Sequence, residues 1–105
     1  MDDMELIAFE IISNVGMGKS LVIEAIREGR KGDYKLANQK IKEANEFFIK
    51  GHHAHTELIQ KEASGEQLKF SLIIMHAEDQ LISAETIRDL GIEIIEMHKD
   101  LSMKK

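Results

Sequence analysis

The sequence predicts an all-α fold: one domain, residues 1–105, built as an antiparallel up-down-up three-helix bundle. Three observations carry this prediction. The chain has no proline in 105 residues, so nothing in it removes a helical amide donor. Its apolar residues recur every three or four positions over three long stretches, the period of a helix with one buried face. Glycine-bearing interruptions separate these stretches at two places, Gly29-Arg30-Lys31-Gly32-Asp33 and Ala63-Ser64-Gly65-Glu66. A chain this short cannot divide its core between two domains.

The first helix opens near Met4 and carries Met4, Ile7, Ala8, Ile11, Val15, Val22, Ala25 and Ile26 on one stripe, with Gly18 among them. Asp2, Asp3 and Glu5 lie at its start and Arg27, Arg30 and Lys31 at its end, each sign where the helix dipole favours it. Gly16-Met17-Gly18 is its weak point, because an interior glycine costs about 1 kcal/mol relative to alanine. A kink or a close helix contact is expected there. Asp33 is placed to cap the second helix, which runs from about Tyr34 to Glu62. Its buried side carries Leu36, Ala37, Ile41, Ala44, Phe48, Ala54 or His55, Leu58 and Ile59. The third helix runs from about Leu68 or Phe70 to Met103, through Ile73, Ala77, Leu81, Ala84, Ile87, Ile94, Ile95 and Leu101. Short loops between long helices make neighbours antiparallel. Helices of about 28 residues give a rod roughly 40 Å long.

The third helix has more apolar surface than one stripe can use. Leu72 to Met75 are apolar on every side, and Ile82, Leu90, Ile92 and Met97 fall outside the main stripe. A helix apolar all round is buried all round, and one chain of this size cannot cover it. A homo-oligomer is the expected resolution.

Composition narrows the function classes. Fourteen Lys and Arg against nineteen Asp and Glu give a net charge of −5, and the positive residues are scattered, so a nucleic-acid partner is not expected. The lack of cysteine removes disulfides, thiolate metal sites and thiol nucleophiles together, and suits a cytoplasmic location. With 43% hydrophobic and 31% charged residues, the chain should fold and stay soluble. The opening Met1-Asp2-Asp3-Met4-Glu5 is not a basic leader. No uninterrupted apolar run exceeds Leu72-Ile73-Ile74-Met75 in length, against the roughly 20 apolar residues of a membrane span.

Val15-Gly16-Met17-Gly18-Lys19-Ser20 ends like a phosphate-binding loop, but the pattern needs a glycine where Ser13 stands, and a strand before it. Helix packing is the better account of these glycines. His52 and His55 share a helix face, as metal-binding histidines can, yet no carboxylate close by in sequence completes a triad and no Glu-x-x-His pair is present. They read as a polar cluster. His98 lies in the last turns of the final helix, where a cation complements the dipole. His76 is the sharper signal: it ends the apolar run of the third helix, and Asp79 follows one turn later on the same face. A carboxylate there can orient an imidazole and leave its other nitrogen as a nucleophile. A plain polar pair is the alternative.

Ser71-Leu72-Ile73-Ile74-Met75-His76-Ala77-Glu78-Asp79-Gln80-Leu81-Ile82 resembles the active-site helix of the lactose/cellobiose (N,N'-diacetylchitobiose) type of enzyme IIA component, from the bacterial phosphoenolpyruvate-dependent sugar phosphotransferase system. Ala8-Phe9-Glu10-Ile11-Ile12-Ser13, Val15-Gly16 and Lys19-Ser20 are similar to that family's first helix. Thr56-Glu57-Leu58-Ile59-Gln60 and Glu62-Ala63-Ser64-Gly65 are similar to the end of its second. The resemblance implies a homotrimer of three-helix subunits that accepts a phosphoryl group from the phosphocarrier protein HPr on His76. It further implies transfer to a cognate IIB component during disaccharide uptake, with the membrane met only through the transporter. Asp79 is then an assembly residue, three copies of it gathering a divalent metal ion such as Mg2+ on the trimer axis, rather than an orienter of His76. Glu78 and His55 stand where the family usually has glutamine, and Gln80 where it has a second histidine. The competing reading is a non-catalytic or regulatory trimeric helical-bundle interaction module, separated from the first by whether His76 takes phosphate.

Overall fold

The structure, a computed structural model, describes residues 2–67 and 71–103. Within them lie three helices, α1 (Asp3–Arg30), α2 (Tyr34–Ala63) and α3 (Leu72–Met103). Local chemistry sets their ends. The Asp2 carboxylate accepts the Glu5 amide at 2.8 Å and the Asp33 carboxylate accepts the Leu36 amide at 3.1 Å, each satisfying an amide that the first turn leaves without a carbonyl. Helix α1 closes with the Asp33 amide on the Glu28 carbonyl and Gly32 at φ +90°; α2 closes with the Glu66 amide on the Lys61 carbonyl and Gly65 at φ +98°. Both are glycine-terminated C-caps of one kind. The Ser71 hydroxyl accepts the Ile74 amide at the start of α3. The start expected at Leu68 or Phe70 lies outside the described residues.

Helix α1 is the centre of the bundle: it packs along both α2 and α3, which touch each other very little. Gly18 lies against Phe48 and Gly51 against Val15, an antiparallel register, while Gly91 lies against Val22 and Gly29 against Ile95, a parallel one. The chain therefore runs up, down and up. These contacts are close. A Cβ added at Gly18 would stand 2.8 Å from the Phe48 ring, and one at Gly91 2.8 Å from Val22 Cγ1. The expected glycine weak point is thus a close contact, and α1 continues through it unbroken. The core is a seam of Ile7, Ile11, Val15 and Val22 from α1, Phe48 and Leu58 from α2, and Leu81 from α3, with alanines between them.

Three expected core residues are corrected. Ile59, Ile94 and Leu101 are 54%, 43% and 62% exposed, because α2 and α3 each bury a narrow stripe on α1 and neither wraps the other. The molecule is also longer than expected, 59 Å by 20 Å by 16 Å, since α3 alone has 32 residues, or about 48 Å. An 18-residue window of α1 matches a membrane span in composition, with mean hydropathy 1.5. Run length alone did not reveal this, and that apolar surface is what lets α1 serve two neighbours at once.

Candidate functional site

Helix α3 has two apolar faces. The inner one, Ala77, Leu81, Ala84, Gly91 and Ile95, is buried against α1. The outer one carries Leu72, Met75, Ile82, Leu90, Met97 and Leu101, with Leu72 81% and Ile82 65% exposed. Their spacing keeps them on one ridge of the helix. Asp79 sits within that ridge, one turn from Met75 and one from Ile82, and its side chain is exposed. Asp79 thus places a carboxylate in the first part of this strip, as Glu93, one turn from Leu90 and from Met97, does further along, and the strip stays uncovered among the described residues.

His76 is exposed at the edge of the same ridge, one turn before Gln80. Gln80 lines an open groove shared with α1, so the imidazole stands where the ridge meets the α1 side of the helix. The side-chain bonds of this turn belong to neither sequence-predicted residue. Glu78, on the opposite flank, pairs with His55 Nε2 at 2.7 Å through Oε1 and 2.9 Å through Oε2. Asp79 therefore does not serve as an orienter bonded to His76 within the chain. Among the described residues His76 takes part in none of the side-chain hydrogen bonds or ion pairs of this turn.

The histidine group of α2 divides into separate pairs. His52 Nε2 lies 3.0 Å from Glu85 and His53 Nε2 3.7 Å from Glu57, besides the His55–Glu78 pair. The carboxylates missing near these histidines in sequence are supplied in space by α3, one to each of His52 and His55. Among the described residues no three His, Cys, Asp or Glu side chains converge to hold an ion. Together with the Arg88 guanidinium 5.3 Å over the Phe48 ring, the His52–Glu85 and His55–Glu78 pairs tie α2 to α3. Sequence reasoning missed them, and it also missed His98, whose Nδ1 shares a 2.8 Å hydrogen bond with the Tyr34 hydroxyl and pins the end of α3 to the start of α2. The signal that could have found the ties is charge: between Ser71 and Ile87, α3 has Glu78, Asp79 and Glu85 and no Lys or Arg.

Residues 6–99 match the family described as the PTS system, lactose/cellobiose-specific IIA subunit. The chain is 40% identical over 104 residues to the lichenan-specific phosphotransferase enzyme IIA component of Bacillus subtilis strain 168, covering 99% of this chain and 94% of that protein. Its backbone superposes on the crystal structure of the PTS cellobiose-specific enzyme IIA from Bacillus anthracis with a TM-score of 0.97 at 36% identity, covering 100% and 96% of the two chains. It also superposes on the solution structure of the IIA(chitobiose)–HPr complex of the N,N'-diacetylchitobiose branch of the Escherichia coli phosphotransferase system, with a TM-score of 0.83 at 27% identity and coverage of 97% and 99%.

Proposed function

The chain belongs to the lactose/cellobiose-specific IIA subunit family of the phosphotransferase system, and on that premise we propose that His76 is the residue on which it carries its phosphoryl group. An enzyme IIA component is a phosphocarrier. Here the donor is phospho-HPr and the acceptor a cognate IIB component, in the cytoplasm, during uptake of a disaccharide through the membrane transporter. A neutral nitrogen of His76 attacks the phosphorus as the bond to the donor breaks, and the phosphoramidate so formed keeps the transfer potential that a relay needs. Such transfer asks the protein mainly for position and for charge stabilisation. The observation that carries the reading is the placement of His76: exposed, without a hydrogen bond or ion pair among the described residues, and at the edge of an exposed apolar ridge.

That ridge supports a homotrimer. Three copies of α3 meeting along it would bury Leu72, Met75, Ile82 and Leu90 and bring three Asp79 carboxylates together. Converging carboxylates fit a hard divalent cation such as Mg2+, which binds oxygen ligands. Among the described residues no three His, Cys, Asp or Glu of a single chain come together to hold an ion. The ion would supply the positive charge that lets three carboxylates share an apolar axis. Asp79 is the residue that would hold it.

The test is intact-mass measurement after incubation with phosphoenolpyruvate, enzyme I and HPr. One acid-labile phosphoryl group is expected on the protein and none on His76→Ala. Label that survives in His76→Ala defeats the assignment. For Asp79, sedimentation with metal analysis of Asp79→Leu should return a trimer without bound metal, and unchanged metal content would defeat the axial site.

A further inference from the structure

The turn around His76 is poorly suited to a phosphoryl group if α3 acts alone. The neighbouring side chains on α3 are Glu78 and Asp79, and no Lys or Arg occurs between Ser71 and Ile87. A phosphohistidine brings further negative charge to a protein whose net charge is already −5. Charge that develops on transferring oxygens needs positive groups or hydrogen-bond donors aimed at it. They must come from outside this stretch of α3.

The groove that Gln80 lines, one turn along α3 from His76, contains such groups. It is an open depression of about 440 Å³ between α1 and α3, and Gln80 lines it together with Lys19, Ser20, Glu24 and Arg27. Gln80 is the link to the site, because residues four apart on a helix are neighbours on its surface. The α1 side chain leans toward the start of its helix, which directs Lys19 toward the end of the groove that Gln80 occupies. The one acid of the groove, Glu24, is engaged by Lys40 of α2 at 3.3 Å. Lys19 and Arg27 take part in none of the ion pairs among the described residues. A chain with more acids than bases thus keeps two uncommitted cations in a single groove, and has its acid held by a third.

We propose that this groove receives the charge of the phosphoryl group carried on His76, with the Lys19 ammonium and the Gln80 amide as the groups that donate to its oxygens. The proposal rests on His76 being the phosphoryl acceptor. Lys19 and Gln80 form and break no covalent bond; they favour the phosphorylated state and the transfer that reaches it. Arg27, further along α1, adds long-range attraction for an incoming phosphorylated partner.

The measurement is single-turnover transfer of radiolabelled phosphoryl from phospho-HPr to the full chain. Lys19→Gln should slow labelling about tenfold and Gln80→Leu about threefold, both with an unchanged melting temperature, and Lys19→Arg should come within about twofold of the unaltered protein. Lys42→Gln, which removes the same charge from α2 outside the groove, should label at the normal rate. Normal labelling of Lys19→Gln overturns the proposal. So does equal slowing by Lys42→Gln, which would make the effect one of overall charge. Failure of the underlying reading looks different: the unaltered protein stays unlabelled, or label persists in His76→Ala.

Discussion

The two faces of α3 are both apolar and are made of different residues. Toward α1 the helix presents Ala77, Leu81, Ala84, Gly91 and Ile95, mostly small, and they allow the helix axes to approach until Gly91 rests on Val22. Away from α1 it presents Leu72, Met75, Ile82, Leu90, Met97 and Leu101, all large, with the carboxylates of Asp79 and Glu93 among them. The difference separates two tasks. Small residues fit a partner whose position is fixed by the same chain, whereas long flexible side chains make a surface for meeting other chains. Hydrophobicity alone would rank the two faces alike.

Substitutions on the two faces should therefore fail in different ways. The largest loss is expected on the inner face at Leu81→Ala, about 2–5 kcal/mol from lost burial and the cavity left behind, read by urea unfolding at any protein concentration. A loss below about 1 kcal/mol would show that α3 does not depend on this seam. Gly91→Ala follows at about 1–3 kcal/mol, since the added methyl must displace Val22 or spread the helices. On the outer face Ile82→Ser should change single-chain stability by no more than about 0.5 kcal/mol and yet abolish association in sedimentation. With it should go any dependence of the unfolding midpoint on protein concentration. An associated Ile82→Ser protein would mean that the ridge is not the interface.

Much of the bundle was legible in the sequence because its punctuation is local. Gly32, Asp33 and Gly65 announce helix ends through their own backbone and capping chemistry, whatever the rest of the chain does. Periodicity also located the inner stripe of α3. It could not tell Ile94 from Ile95, adjacent residues on a helix apolar nearly all round, and only the position of α1 decides that Ile95 is buried and Ile94 exposed. The ties of His52 to Glu85 and His55 to Glu78 were hidden for a related reason: each joins residues far apart in sequence, and the pairing depends on how α2 and α3 are set against α1. His76 and Asp79 were visible as residue types on one helix face. Their separation into an uncommitted imidazole and a carboxylate within an apolar ridge required the surfaces of the folded chain.

The central position of α1 also sets an order of events in time. The α1–α2 hairpin closes through a three-residue turn, Lys31 to Asp33, and its contacts are near in sequence, so it can form while the remainder of the chain is still being synthesised. Helix α3 arrives last and must reach back past the whole of α2 to find α1. Until it docks, both of its apolar faces are bare. Docking hides the small-residue face and leaves the large-residue face as the adhesive surface of the finished monomer, so that a folded chain has one sticky face where the undocked helix has two.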